Sequence, residues 1–159
     1  MKRVFTVLLI LLLAAGLALL IVPLVMSILF APKDPILNSL PDYTHKEFYT
    51  CGGFQDYTDY AKYTYEVSES VFTHSSYFLK VTEENIPKIN AYLDNFENWT
   101  RTCSVFPLEA YDFDRSQVQT GDYFYILNRY EDPAAEFDNY NLYYFDLDTG
   151  VLYYFHNNI

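Results

Sequence analysis

The hydrophobic and polar positions divide the chain into three stretches. Residues 4–31 form an uncharged, strongly apolar run. A helix rising about 1.5 Å per residue crosses a hydrocarbon core of about 30 Å in roughly 20 residues. The run is longer than that, so residues 1–31 read as an N-terminal transmembrane helix that spans with some tilt. Pro23 lies inside it, where membrane helices tolerate a kink. A cleaved signal peptide is the competing reading. Its apolar region would be about 7–15 residues long and would end in a small-x-small site. Here bulky Ile28, Leu29 and Phe30 precede Ala31, and Pro32 follows it. Residues 32–45 carry Pro32, Pro35 and Pro41 among Asp, Asn and Ser, and read as an extended linker. Residues 46–159 show the short periodicities of a single folded domain.

Within that domain, residues 82–100 predict a helix. Thr82 is a suitable N-cap, and Glu83 and Glu84 follow where the helix dipole favours negative charge. Ile86, Ile89, Leu93 and Phe96 draw one apolar stripe, which Tyr92 and Trp99 widen. Residues 54–66 carry two patterns. Phe54, Tyr57, Ala61 and Tyr65 mark a helical face that Asp56 or Thr58 could cap, whereas the density of aromatics favours a strand. Helix is the expectation, with Cys51-Gly52-Gly53 as the turn before it.

Residues 123–128, 142–147 and 151–156 predict strands, the last two joined by Asp148-Thr149-Gly150 as a three-residue hairpin loop. That loop places Leu147 opposite Val151, Phe145 opposite Tyr153 and Tyr143 opposite Phe155. These six would then form a core face against the helix stripe. Leu142, Tyr144, Leu152, Tyr154 and His156 would form the other face, the candidate aromatic binding surface. The expected fold class is α+β, with one or two helices packed on an antiparallel sheet of three or more strands.

Charge assigns orientation and excludes one class of partner. Lys2 and Arg3 stay cytoplasmic under the positive-inside rule. The expected location is therefore the cell membrane, single-pass, with the C-terminal domain extracytoplasmic. Beyond those two residues, eight basic side chains face 21 acidic ones, a net charge near −13. Phosphate backbones need Lys and Arg, so nucleic acid is excluded as a partner. The acidic surplus reads as solubility for an aromatic-rich domain. Cys51 and Cys103 stand in the outer domain, where an oxidising compartment permits a disulfide.

No phosphate-binding loop, HExxH, nucleophile elbow or Ser-x-x-Lys motif is present. His45, His74 and His156 are far apart in the chain. No metal site, cofactor or catalytic set is expected, and the chain reads as non-enzymatic. Two carboxylate pairs have residue types that suit calcium or acid–base chemistry: Asp112 with Asp114, and Asp146 with Asp148. Turn formation and solubility account for both. The 17 tyrosines against a single tryptophan suit either a core of amphipathic rings or a surface for sugars and extended peptides.

At Gly53-Phe54-Gln55-Asp56-Tyr57-Thr58-Asp59-Tyr60-Ala61-Lys62-Tyr63, at Gly121-Asp122-Tyr123-Phe124-Tyr125 and at Phe155-His156-Asn157-Asn158-Ile159, the chain resembles small hypothetical proteins of Gram-positive anaerobic bacteria. These often carry an N-terminal hydrophobic segment. The resemblance covers residues 50–159 and implies a cell-envelope setting. It carries no activity and no residue roles, and an anaerobic source could leave both thiols free. The expected function is a non-catalytic interaction module at the membrane surface, with an envelope protein or glycan as partner. The alternatives are a structural envelope protein without a specific ligand, and a glycan-active hydrolase using Asp112, Asp114, Asp146 or Glu109.

Overall fold

The structure is a computed structural model describing residues 34–53, 56–66, 69–103 and 110–159, together with Gly16, Leu17, Leu19, Ile21 and Val22, which are helical. The rest of the expected membrane helix lies outside the described residues. No helix among those described is long and apolar enough to cross a membrane. The chain divides into two units, residues 1–38 and 39–159.

In the first unit a single turn, α1 (Pro35–Asn38), interrupts the stretch expected to be an extended linker. Asp34 caps it, its Oδ1 accepting from the Ile36 amide at 2.8 Å and the Leu37 amide at 3.3 Å.

The second unit is an α+β domain. Its elements are β1 (His45–Gly52), β2 (Tyr57–Thr64), α2 (Ser70–Thr73), β3 (Leu79–Lys80), α3 (Ile86–Thr102), β4 (Tyr123–Asn128), β5 (Asn139–Asp146) and β6 (Val151–Asn158). The six strands make one sheet in the order β1-β2-β6-β5-β4-β3, with every neighbouring pair antiparallel.

The segment expected to be helical over 54–66 contains β2 instead. Tyr57, Tyr60 and Tyr63 recur every three residues, which suits a helix face. It also suits a strand covered on both sides, where successive members point to opposite faces. β2 lies between β1 and β6, and Tyr60 and Tyr63 are both buried. The helix expected from residue 82 begins at Ile86. Residues 82–85 form a turn closed by Asn85, whose Oδ1 accepts from the Thr82 amide at 2.9 Å and whose own amide donates to the Thr82 carbonyl at 3.1 Å. Thr82 thus begins that turn and does not cap α3.

The β5–β6 hairpin differs from expectation by one residue on one strand. Asp146, not Leu147, pairs with Val151, so Tyr144 faces Tyr153 and Leu142 faces Phe155. The loop has four residues because Asp146 closes it. Its Oδ1 accepts from the amides of Asp148 (2.8 Å) and Thr149 (3.2 Å), and the Gly150 amide returns to the Asp146 carbonyl at 3.0 Å. Gly150 takes φ +71°, which favours glycine. A one-residue slip exchanges the faces of one strand. Tyr140, Leu142, Tyr144, Tyr153 and Phe155 therefore share the face packed by Ile89, Leu93 and Phe96 of α3.

Phe145 and Tyr143, expected against the helix, lie on the opposite face with Leu152, Tyr154 and His156. That face is covered too. Phe72 of α2 stacks on Phe145 at 4.0 Å between centroids, and Phe78 packs edge-on against Phe72 and Tyr143.

The tyrosine excess and the acidic excess form a joint pattern. Phenol hydroxyls donate to carboxylates in Tyr49–Glu47, Tyr60–Asp112, Tyr92–Glu136, Tyr111–Glu97, Tyr123–Glu69 and Tyr144–Asp122. Each ring fills apolar space, and its hydroxyl reaches an acid at the edge of the core, so no phenol in these pairs is left unsatisfied. The acids named here hold the packing as well as conferring solubility.

Candidate binding cleft

The five residues expected to form an exposed aromatic surface do not form one. Leu142 and Tyr144 lie on the helix-covered face, and Leu152, Tyr154 and His156 on the other; all but the half-buried Tyr154 are buried. Four-residue loop closure and the two covering layers remove that surface. The Tyr144 hydroxyl accepts from the Gln119 amide and donates to the Asp122 carboxylate. His156 places Nδ1 at 2.8 Å from the Tyr140 carbonyl, and its ring lies parallel to Tyr154. Burial pushes the His156 imidazole below its ordinary range, with the Tyr140 carbonyl and Asp59 only partly offsetting that effect.

The paired carboxylates serve separate local roles. Asp112 bonds Lys62 (2.7 Å) and the Tyr60 hydroxyl (2.9 Å). Burial raises its carboxyl, but those two hydrogen bonds outweigh burial and hold it low. Asp114 caps the 3-10 turn Arg115–Gln117 through the Ser116 amide, which holds it low as well. Asp146 closes the hairpin loop. Residues 112–114 are not in a strand. Glu109 lies outside the described residues. Among the described residues, no cluster of three or more His, Cys, Asp or Glu could hold a metal ion.

A cleft does form where the end of α3 meets the open end of the sheet. The stripe Ile89, Leu93, Phe96 and Thr100 faces the sheet and is buried. Trp99, expected to widen that stripe, lies beside it and stays 40% exposed. The Thr102 hydroxyl donates to the Trp99 carbonyl at 2.8 Å, and the Cys103 amide donates to the Thr100 carbonyl, ending the helix. Cys103 is joined to Cys51 of β1 by a disulfide with a Cα–Cα distance of 6.4 Å. The bond fastens the helix end to the outermost strand.

Next to Cys51 the β1–β2 connection turns at Gly52, with φ +123°. A Cβ there would fall 2.2 Å from the Asp56 carbonyl oxygen, so only glycine fits. This bend brings Tyr57 and Thr58 alongside their β6 partners Asn158 and Asn157. Trp99, the disulfide, Tyr57, Thr58, Asn157 and Asn158 line a cavity of about 190 Å³.

Asn157 lines the cleft, and its side chain is buried. It is 0% exposed, and its Nδ2 donates to the Phe137 carbonyl at 2.9 Å and to Asn95 Oδ1 at 3.3 Å. Two acceptors on the nitrogen assign the amide orientation. Its Oδ1 receives no donor from the described protein. A buried acceptor left unpaired costs about 1–3 kcal/mol. Among the described lining residues no Lys, Arg or His is present, and the one charged side chain is the exposed Asp56. The arrangement sets the Trp99 ring and the disulfide beside the polar residues Thr58, Thr102 and Asn158. Sequence reasoning missed it because Trp99 read as core and Asn157 carried no motif. The signal available was Trp99 four residues before Cys103.

No family model, curated protein or solved structure matches this chain.

Proposed function

We propose that this chain is a membrane-tethered, extracytoplasmic binding module of a bacterial cell envelope, non-catalytic, with the Trp99 cleft as its ligand site. The carrying observation is a cavity of about 190 Å³ that sets the partly exposed Trp99 and the Cys51–Cys103 disulfide beside the polar residues Thr58, Thr102 and Asn158. Pockets that bind small molecules combine apolar walls with a few placed polar groups in this way. The tether rests on the apolar run over residues 4–31, and the orientation on Lys2 and Arg3. The separate engagement of Asp112, Asp114 and Asp146 supports the non-catalytic reading.

Two experiments test it. Expressed in bacterial membranes, the full chain should stay in the pellet after alkaline washing, and a variant lacking residues 1–31 should be released. Retention of that variant would refute the tether. Because the chain has one tryptophan, its emission reports on the cleft alone. A panel of small neutral ring compounds should include some that shift that emission saturably. A panel without effect would refute the cleft as a site.

A further inference from the structure

Buried Tyr144 has one hydroxyl hydrogen and faces two acceptors. Its hydroxyl lies 2.7 Å from the Gln117 carbonyl and also bonds one carboxyl oxygen of Asp122. The same hydroxyl accepts from the Gln119 amide at 3.1 Å. Asp122 is 2% exposed, and its other oxygen accepts from the Leu147 amide at 3.1 Å. Among the described residues no second donor reaches the Gln117 carbonyl.

A phenol donates one hydrogen. With Asp122 ionised, that hydrogen goes to the carboxylate, the stronger acceptor, and the Gln117 carbonyl faces the phenol oxygen without a donor. With Asp122 protonated, the direction reverses. Asp122 donates to the phenol oxygen, and the phenol hydrogen turns to the Gln117 carbonyl, so that every group in the chain is paired. We propose that Asp122 and Tyr144 form a proton-operated latch, which ties residues 115–119 to the sheet when Asp122 is protonated and releases the Gln117 carbonyl when it is ionised.

The surroundings favour the closed form. The hairpin loop brings two acids towards Asp122, the buried Asp146 and the exposed Asp148, whose Oδ2 accepts from Gln119 Nε2 at 3.0 Å. The cations of the adjoining segments are engaged elsewhere. Arg115 is held by Asp94 at 2.7 Å and Glu97 at 2.9 Å, and Lys80 by Glu69 at 2.9 Å. From β6, the partner opposite Tyr144 is Tyr153, a phenol raised by burial and by Asp146. Phe113 packs edge-on against the Tyr144 ring at 5.7 Å, and Val81 reaches Asp122 through its backbone amide alone. Burial pushes the Asp122 carboxyl above its ordinary range. The bonds from Tyr144 and the Leu147 amide pull it down without cancelling burial, and Asp146 and Asp148 add to the rise. Burial also raises the Tyr144 phenol, which therefore keeps its hydrogen while Asp122 titrates. A carboxyl raised on folding contributes stability that is fully present below the unfolded value of about 3.9 and is lost as pH rises through the folded value. The latch is therefore closed in acid.

The test is carbon-detected NMR of the isotope-labelled full chain in lipid nanodiscs, between about pH 3 and 8. The Asp122 carboxyl carbon and the Gln117 carbonyl carbon should shift along one curve, with a midpoint above about 3.9. Exchange of the Gln119 amide hydrogen should quicken above that midpoint, beyond the ordinary rise with pH seen at other amides. Asp122→Asn keeps the closed pattern, its amide donating to the phenol and its oxygen accepting from Leu147. The Gln117 carbonyl should then hold its low-pH position throughout. In Tyr144→Phe the Asp122 carbon should still titrate while the Gln117 carbonyl no longer follows. An Asp122 carbon with a midpoint at or below about 3.9, or with no transition, would overturn the latch. So would a Gln117 carbonyl that stays still while Asp122 titrates, or one that still follows pH in Asp122→Asn. Should either variant fail to fold, the shared curve in the unsubstituted chain decides.

Discussion

Phe145 and Phe155 test whether both faces of the β5–β6 hairpin are core. Phe155 is fully buried on the helix side, with Phe113 at 5.2 Å, Phe96 at 5.3 Å and Tyr60 at 5.5 Å between ring centroids. Phe145 is buried on the opposite side, 4.0 Å from Phe72 and 6.3 Å from Tyr65. Truncating a buried phenylalanine to alanine costs about 3–5 kcal/mol, as lost transfer energy plus a residual cavity. Phe145→Ala and Phe155→Ala should therefore each lose that amount, comparable to much of the roughly 5–15 kcal/mol that holds a typical domain. Tyr154→Ala, at a half-buried position on the Phe145 face, should lose less. Urea denaturation followed by circular dichroism measures all three. A loss below about 1 kcal/mol in Phe145→Ala would show that α2 and Phe78 do not cover that face, and the two-sided core would be wrong.

Three further outcomes follow from the same structure. The Cys51–Cys103 bond closes a loop of 52 residues, so replacing both cysteines by serine should lower stability by about 4 kcal/mol in the chain-entropy model, read by the same denaturation. Buried His156 stays neutral to a lower pH than a free imidazole, whereas the unfolded chain takes up that proton near pH 6.5. Stability should fall as pH drops through that value, stop falling below the folded pKa, and lose this dependence in His156→Gln; an unchanged profile would refute the assignment. Burial pushes Tyr60, Tyr92, Tyr111, Tyr140 and Tyr144 above the ordinary phenol range. The unfolded state releases these protons first, so stability should decline above about pH 10. Phenolate absorbance should show these rings ionising together with unfolding, and smooth ionisation of all 17 tyrosines would contradict the burial.

The sequence made the α+β class and the three C-terminal strands legible, because period-two alternation over residues 123–128, 142–147 and 151–156 is a local signal. The stripe of α3 was legible for the same reason. Its start was not, because Asn85 closes a turn that competes with a Thr82 cap. The helical face drawn through Phe54, Tyr57, Ala61 and Tyr65 does not hold for β2, because its aromatics are buried on both faces of a doubly covered strand and so carry no period-two alternation. β1 gave little signal, since only one side of it pairs and five of its eight positions are exposed. The hairpin register depended on where Asp146 closes the loop, one residue away from the obvious place. That shift dispersed the expected aromatic surface. The cleft depends on the β1–β2 bend, the disulfide and the end of α3 meeting in space, and no segment encodes it alone.

The most direct test of the binding reading uses the single tryptophan. One Trp99 gives one indole N–H cross-peak in a proton–nitrogen correlation spectrum of the full chain. Adding a small neutral ring compound that shifts Trp99 emission should move that peak along a saturating curve, while the buried Asn141 amide stays in place. An unmoved indole peak at saturating compound, or movement spread evenly over the domain, would contradict a ligand site in this cleft.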